Sequence, residues 1–177
     1  LPGSVYLEAA IEAARQLLGD VPVSLHDVAF LQPMTLRDDE RVLVEVSLTP
    51  GEQGRWTFRW SSLHASVTSS RGAAPEWVLH ATAEARALVP PVDLPAPLSG
   101  ARARCTTPVS MDDLDRAAAR MELEVGPAFK GIREAWAGSG EVFARVGPPE
   151  GAAPGPPFLV HPAMMDACIR AMVAGSS

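Results

Sequence analysis

The stretch FLVHPAMMDACIRAM, residues 158–172, sets one carboxylate inside an apolar run. Met164, Met165, Cys168 and Ile169 all lie within three positions of Asp166. A carboxylate facing such side chains is costly to desolvate unless it is paired or protonated. Either Asp166 is an ordinary residue near a helix start, favoured there by the macrodipole, or its surroundings fit it for proton transfer, as an acid with a raised pKa. Cys168 has no histidine placed to activate it and reads as a small buried residue. His161 with Asp166 is too small a set to hold a metal ion, so none is expected.

These residues need a helix to carry them. HPAMMDACIRAMVAG supplies one, with Pro162 near its start, where proline is tolerated. Upstream, SMDD (110–113) has the form of a capping box, and Met111, Leu114, Ala118 and Met121 follow at helical spacing. IREAWAG (132–138) and EVFARV (141–146) read as strands, and GPPEGAAPGPP (147–157) as a loop.

The first half has a similar plan. Residues 4–18 predict a helix with Leu7, Ala10, Ile11, Ala14 and Leu18 as its apolar stripe and Gly19 as its stop. Four strands are expected at 23–31, 41–48, 55–61 and 77–87. In the second, Val42, Val44, Val46 and Leu48 share a face. In the third, Trp56, Phe58 and Trp60 do, and they read as core. In the fourth, Trp77, Leu79, Ala81, Ala83 and Ala85 do, as in half-buried antiparallel strands. Residues 88–98 carry four prolines and read as an extended linker. The expected class is α+β, a helix with an antiparallel sheet wrapped around it, used twice. The expected boundaries are 1–95, a linker at 96–109, and 110–177, the second sheet having too few strands to cover its helix.

Composition narrows the function. The chain has 177 residues and a formal net charge of −6 with no basic run, which argues against a nucleic-acid partner. Cys105 and Cys168 are isolated and fit a reducing, cytoplasmic setting. No apolar run reaches the length of a membrane span, and no signal peptide is recognisable.

Three local patterns resemble one family. LPGSVYLEAA resembles the end of a signature spaced H-x3-G-x4-P, VGPAFKGI (125–132) a YGPxFxGL stretch, and HPAMMDA (161–167) an HPxxLDA motif. Together, in this order, they resemble the dehydratase domain of a modular polyketide synthase, a double hotdog. That resemblance implies loss of water from a β-hydroxyacyl thioester to give an α,β-unsaturated thioester. It implies Asp166 as the general acid and a histidine as the base. It also implies Gly3, Val125, Gly126, Pro127, Phe129, His161 and Arg170 as substrate-binding residues, with backbone N–H groups near Gly3 stabilising the thioester oxygen. No cofactor is implied, since the substrate rides on the phosphopantetheine of an acyl carrier protein. Neighbouring synthase domains, and pairing as a homodimer, complete the implied partners.

The chain departs from the pattern at three places. The signature histidine would precede Leu1, and His26, His64 and His80 lie on strands where structural roles are expected, so a longer parent domain is anticipated. Val125 stands where the family has tyrosine. Arg170 stands where it has glutamine or histidine, and an arginine beside a carboxylate lowers its pKa, so that less of it carries the proton a general acid must give. A non-catalytic domain of the same fold, or a variant that shifts a double bond or closes a cyclic ether, therefore stays open beside the dehydratase.

Overall fold

The computed structural model describes residues 1–36, 41–64, 76–88, 98–120, 125–148 and 158–174. It divides into two compact units, Leu1–Val92 and Asp93–Ser177. The side chains of His64 and Met121 and most of the proline-rich stretch 88–98 lie outside the described residues.

In the first unit, helix α1 (Gly3–Leu18) is followed by strands β1 (Val23–Phe30), β2 (Leu43–Pro50), β3 (Arg55–His64) and β4 (Glu76–Ala87). The strands form one antiparallel sheet in the order β1-β4-β3-β2, and α1 packs against β1, β4 and β3. Gly19 ends α1 with a φ of 82°, its N–H donating to the Arg15 carbonyl. The helix buries Tyr6, Ala10 and Ala14, while Leu7, Ile11 and Leu18 of the expected stripe are only half-buried. The reason lies in the sheet. Its inner face at β4 is Ala81, Ala83 and Ala85, all buried, so small helix residues meet small strand residues. Tyr6 fills the gap beside Met34 and meets the edge of Trp60, ring centroids 5.2 Å apart. Burial there pushes the Tyr6 phenol above its ordinary range, opposed by a weaker contact with the Met34 backbone.

Two strand faces depart from simple alternation. The β3–β4 register slips between Trp60 and Ser61, leaving His80 as an extra residue. Ala81, Ala83 and Ala85 therefore face α1 as expected, but Trp77 and Leu79 pass to the other face, and Trp77 is 44% exposed. His80 takes the inward place and is buried with Ser62. Its Nε2 lies 2.7 Å from Ser62 Oγ and its Nδ1 3.0 Å from the Gln32 carbonyl oxygen. A second slip, between His26 and Ala29, puts Asp27 at a φ of 48°. His26 is exposed and bonds Ser24.

In the second unit the stretch expected as linker holds helix α2 (Leu98–Arg104) and strand β5 (Thr107–Pro108). Helix α3 (Met111–Arg120), strands β6 (Ile132–Ala137) and β7 (Val142–Val146) and helix α4 (Pro162–Ala174) follow. The sheet order is β5-β6-β7, antiparallel, with α4 against β6 and β7. Ser110 caps α3 by accepting from the Asp113 N–H at 3.1 Å. Leu114 and Ala118 are buried, and Met111 is exposed. Two contacts explain why residues 98–104 are helical and docked. The Arg102 guanidinium stacks 4.0 Å from the Trp136 ring. Arg104 grips Glu141 with two hydrogen bonds, at 2.6 and 2.8 Å, which hold the Glu141 carboxyl below the usual carboxylate range.

Replacing His80 tests the first bulge. His80→Ala removes a partner from both Ser62 and the Gln32 carbonyl, and is expected to lower stability by about 2–3 kcal/mol. A urea unfolding midpoint unchanged from wild type would show that the bulge does not depend on the imidazole.

Candidate active site

Helix α4 carries the candidate acid, and three alanines set its orientation. Ala163, Ala167 and Ala171 are buried at four-residue spacing and form the face turned to the unit's interior. Ala167 comes close to Gly131, which precedes β6. A Cβ built on Gly131 would lie 3.3 Å from the Ala167 Cβ and 3.0 Å from the Gly147 carbonyl oxygen. Gly131 thus has the one side chain that lets the helix lie this close. Its carbonyl accepts from the Gly147 N–H at 2.9 Å, closing the end of the β6–β7 pair.

His161 begins the helix. Its Nδ1 accepts from the Ala163 N–H at 3.2 Å, and its carbonyl oxygen accepts from Met164 and Met165 at 2.9 and 3.1 Å. The imidazole meets the Phe158 ring edge-on, centroids 5.1 Å apart. It orients the first turn of α4 by capping it. Cys168, expected to be buried, is exposed, because a position next to Ala167 turns away from the alanine face.

Asp166 and Arg170 sit one turn apart on α4 and form an ion pair, Nε to Oδ2 at 3.0 Å. Both are largely shielded, with 21% and 13% of their side chains exposed, so solvent screens this pair less than a surface one. Arg170 also donates from Nη2 to the Phe129 carbonyl oxygen. Among the described residues Asp166 Oδ1 accepts no hydrogen bond. A guanidinium only donates, so Oδ2 is committed as an acceptor and Oδ1 is the oxygen left to bond a ligand.

The remaining expected residues of this unit build a turn. Val125 and Gly126 precede a short 3-10 turn, Pro127–Phe129, in which Phe129 N donates to the Gly126 carbonyl and Lys130 N to that of Pro127. Phe129, implied by the resemblance as a substrate-binding residue, reaches Arg170 through its backbone oxygen. Beside the ion pair lies a cavity of about 270 Å³ lined by Met111, Leu114, Ile132, Lys130 and Arg170, with Asp112 and Asp115. Lys130 pairs with Asp115 across 3.5 Å. Asp166, Arg170 and the Phe129 carbonyl are therefore brought together, and His161 lies at the same helix start. Gly3 belongs to the first unit, where it opens α1. Among the described residues no group of side chains could hold a metal ion, and no helix is long and apolar enough to cross a membrane.

Two family models match this chain: "Polyketide synthase dehydratase domain" over residues 1–63 and "Polyketide synthase dehydratase N-terminal domain" over residues 93–176. The Pikromycin polyketide synthase component PikAII of Streptomyces venezuelae is 34% identical over 99% of the chain. This chain belongs to the polyketide synthase dehydratase domain family. Among solved structures, the dehydratase domain of the CurF module of the curacin polyketide synthase matches with a TM-score of 0.80 at 25% identity, over 96% of this chain and 60% of that one. The dehydratase domain of the terminal module of the rifamycin polyketide synthase matches at 0.76 and 27%, over 98% and 62%. The fold is the α+β hotdog of those dehydratases. The chain spans about 60% of their length and 5% of PikAII, a far longer synthase protein.

Three contributors to this dehydratase-family site escape the sequence reading. The Phe129 carbonyl and the Gly131 contact are backbone features, although Gly131 lies within the VGPAFKGI pattern. His161 caps α4 through its Nδ1, a use that its place in the HPAMMDA motif does not announce.

Gly131→Ala is expected to destabilise the second unit by about 1–3 kcal/mol, because the new methyl meets a carbonyl that cannot move away without opening the β6–β7 end. Thermal unfolding followed by tryptophan fluorescence measures it, and an unchanged midpoint would show slack between α4 and the sheet.

Proposed function

We propose that this chain forms part of a dehydratase domain that removes water from a β-hydroxyacyl thioester carried on an acyl carrier protein, with Asp166 as the general acid. The observation that carries this is the state of its carboxyl group: held through Oδ2, largely shielded, and with Oδ1 accepting no hydrogen bond among the described residues. In the reaction a base takes the α-proton. The electron pair of the C–H bond becomes the new C=C bond, and the β-hydroxyl leaves as water with a proton from Asp166 Oδ1. The base in this reading is the histidine of the family's first signature, upstream of Leu1 in the parent protein. Negative charge on the thioester oxygen is met by N–H groups at the start of α1, near Gly3. Val125, Gly126, Pro127 and Phe129 supply the turn beside the acid, and His161 fixes the first turn of its helix. The substrate arrives on the carrier's phosphopantetheine, so no bound cofactor is needed. Neighbouring synthase domains, and a second copy of the domain, are the expected partners in a cytoplasmic assembly.

The Arg170–Asp166 ion pair favours a second reading, a domain kept for architecture with its acid occupied. Both readings are separable with the parent domain in its native flanks and a 3-hydroxyacyl pantetheine thioester, water loss being followed by mass spectrometry. Asp166→Asn is expected to lower the rate by about 10²–10⁴-fold. Equal water loss in wild type and variant would remove Asp166 from the acid's role. Arg170→Gln, which can keep a hydrogen bond to Oδ2 without the charge, is expected to raise turnover by up to about tenfold. Turnover by Arg170→Gln alone, with none by wild type, would establish the silent reading.

A further inference from the structure

We propose that Phe30 is a specificity-determining residue of this domain, its ring forming a wall over Gly3 that selects β-hydroxyacyl thioesters bearing no substituent on the α-carbon. Resting on the dehydratase reading, this role adds a substrate class to it.

Phe30 reaches Gly3 only because of the bulge in β1. Leu25 lies opposite Ala85 and shares the face turned to α1, and strict alternation would send residue 30 to the other face. The register slip between His26 and Ala29, with Asp27 at a φ of 48°, reverses the phase. Phe30 then pairs with Ala81 and projects on the α1 side. The chain just beyond it is anchored. Leu31 N donates to the His80 carbonyl at 2.8 Å, and the His80 imidazole holds the Gln32 carbonyl at 3.0 Å. The ring is tilted against Tyr6 with centroids 6.1 Å apart.

The result is contact with the first turn of α1. A Cβ built on Gly3 would lie 2.9 Å from Phe30 Cζ and 3.1 and 3.2 Å from its Cε atoms. A methyl-sized group on that side of Gly3 meets the Phe30 ring first and fits only if the ring moves aside. Gly3 is also the first residue of α1, so its N–H has no acceptor within the helix. Ser4, in the same turn, is 1% exposed and its Oγ has no partner among the described residues. Such a buried hydroxyl calls for a polar ligand or water. Yet Phe30 remains 53% exposed, so its ring is not simply core packing. A thioester oxygen bonded at Gly3 sets its α-carbon next to this ring, and an α-methyl on that side collides with it.

The test uses the parent domain with its native flanks. Water loss is measured for the pantetheine thioester of an unbranched 3-hydroxy acid and for both epimers of its α-methyl analogue. Phe30→Ala is expected to raise kcat/KM for one α-methyl epimer about tenfold relative to the unbranched substrate, in the range one methyl group commands in an apolar pocket. Phe30→Leu, which keeps apolar bulk without the flat ring, is expected to move the ratio the same way but less. Ratios unchanged in both variants, with unbranched turnover intact, would overturn the assignment of Phe30 and leave the dehydratase reading standing. Absence of water loss from every substrate in wild type and variants would overturn both. Failure of both variants to fold would show the ring to be structural and overturn the assignment.

Discussion

Each unit depends on one steric constraint, that a helix must lie almost directly on strand backbone. In the first unit Ala10 of α1 shares a core with Ala83 of β4, and Ala14, Ala81 and Ala85 are buried as well. In the second, Ala163, Ala167 and Ala171 of α4 are buried beside Gly131 and Ala135. A methyl side chain buries little area, so close approach is not rewarded chiefly by the hydrophobic effect of those residues. Larger side chains around the contact, Phe58, Trp60 and Leu48 in the first unit, supply more of it. The small residues set distance instead. Because Gly3 opens α1 and Asp166 lies on the second turn of α4, that distance also places the groups offered here for catalysis.

The sequence made the repeated helix-and-sheet plan legible because each periodicity was clean. Trp56, Phe58 and Trp60 fall opposite Ala85, Ala83 and Ala81, as alternation requires. Alternation failed where the backbone gains a residue. A bulge has no strong signature in side-chain type, and His80 looks like a polar residue on the outer face of an alternating strand. Only the pairing shows that it turns inward and that Trp77 turns out. Helix α2, within the expected linker, was hidden for another reason. Prolines upstream suggested an extended connection, whereas Arg102 and Arg104 find Trp136 and Glu141 far along the chain. Long-range partners of that kind leave no local pattern.

At the site, the sequence exposed what depends on helical spacing. Asp166 and Arg170 are four apart, and their pairing follows from that number. The third member of the cluster could not be seen, because a carbonyl oxygen is common to every residue. Phe129 reaches Arg170 through its carbonyl oxygen, a contact in which its ring takes no part. Family resemblance pointed to the right turn through VGPAFKGI, while its mode of action is visible only in three dimensions.

Arg170 ties two parts of the molecule to one rigid plane. Its Nε holds the Asp166 carboxylate and its Nη2 holds the oxygen of Phe129, so neither can shift without straining the other through the guanidinium. The Gly126–Lys130 turn is thereby a lever on the rotamer of Asp166. Motion of that turn, from whatever cause, is transmitted to the carboxylate as a torsion. A glutamine at position 170 has a shorter, more freely rotating end group and would loosen that linkage, uncoupling Asp166 from the turn that neighbours it.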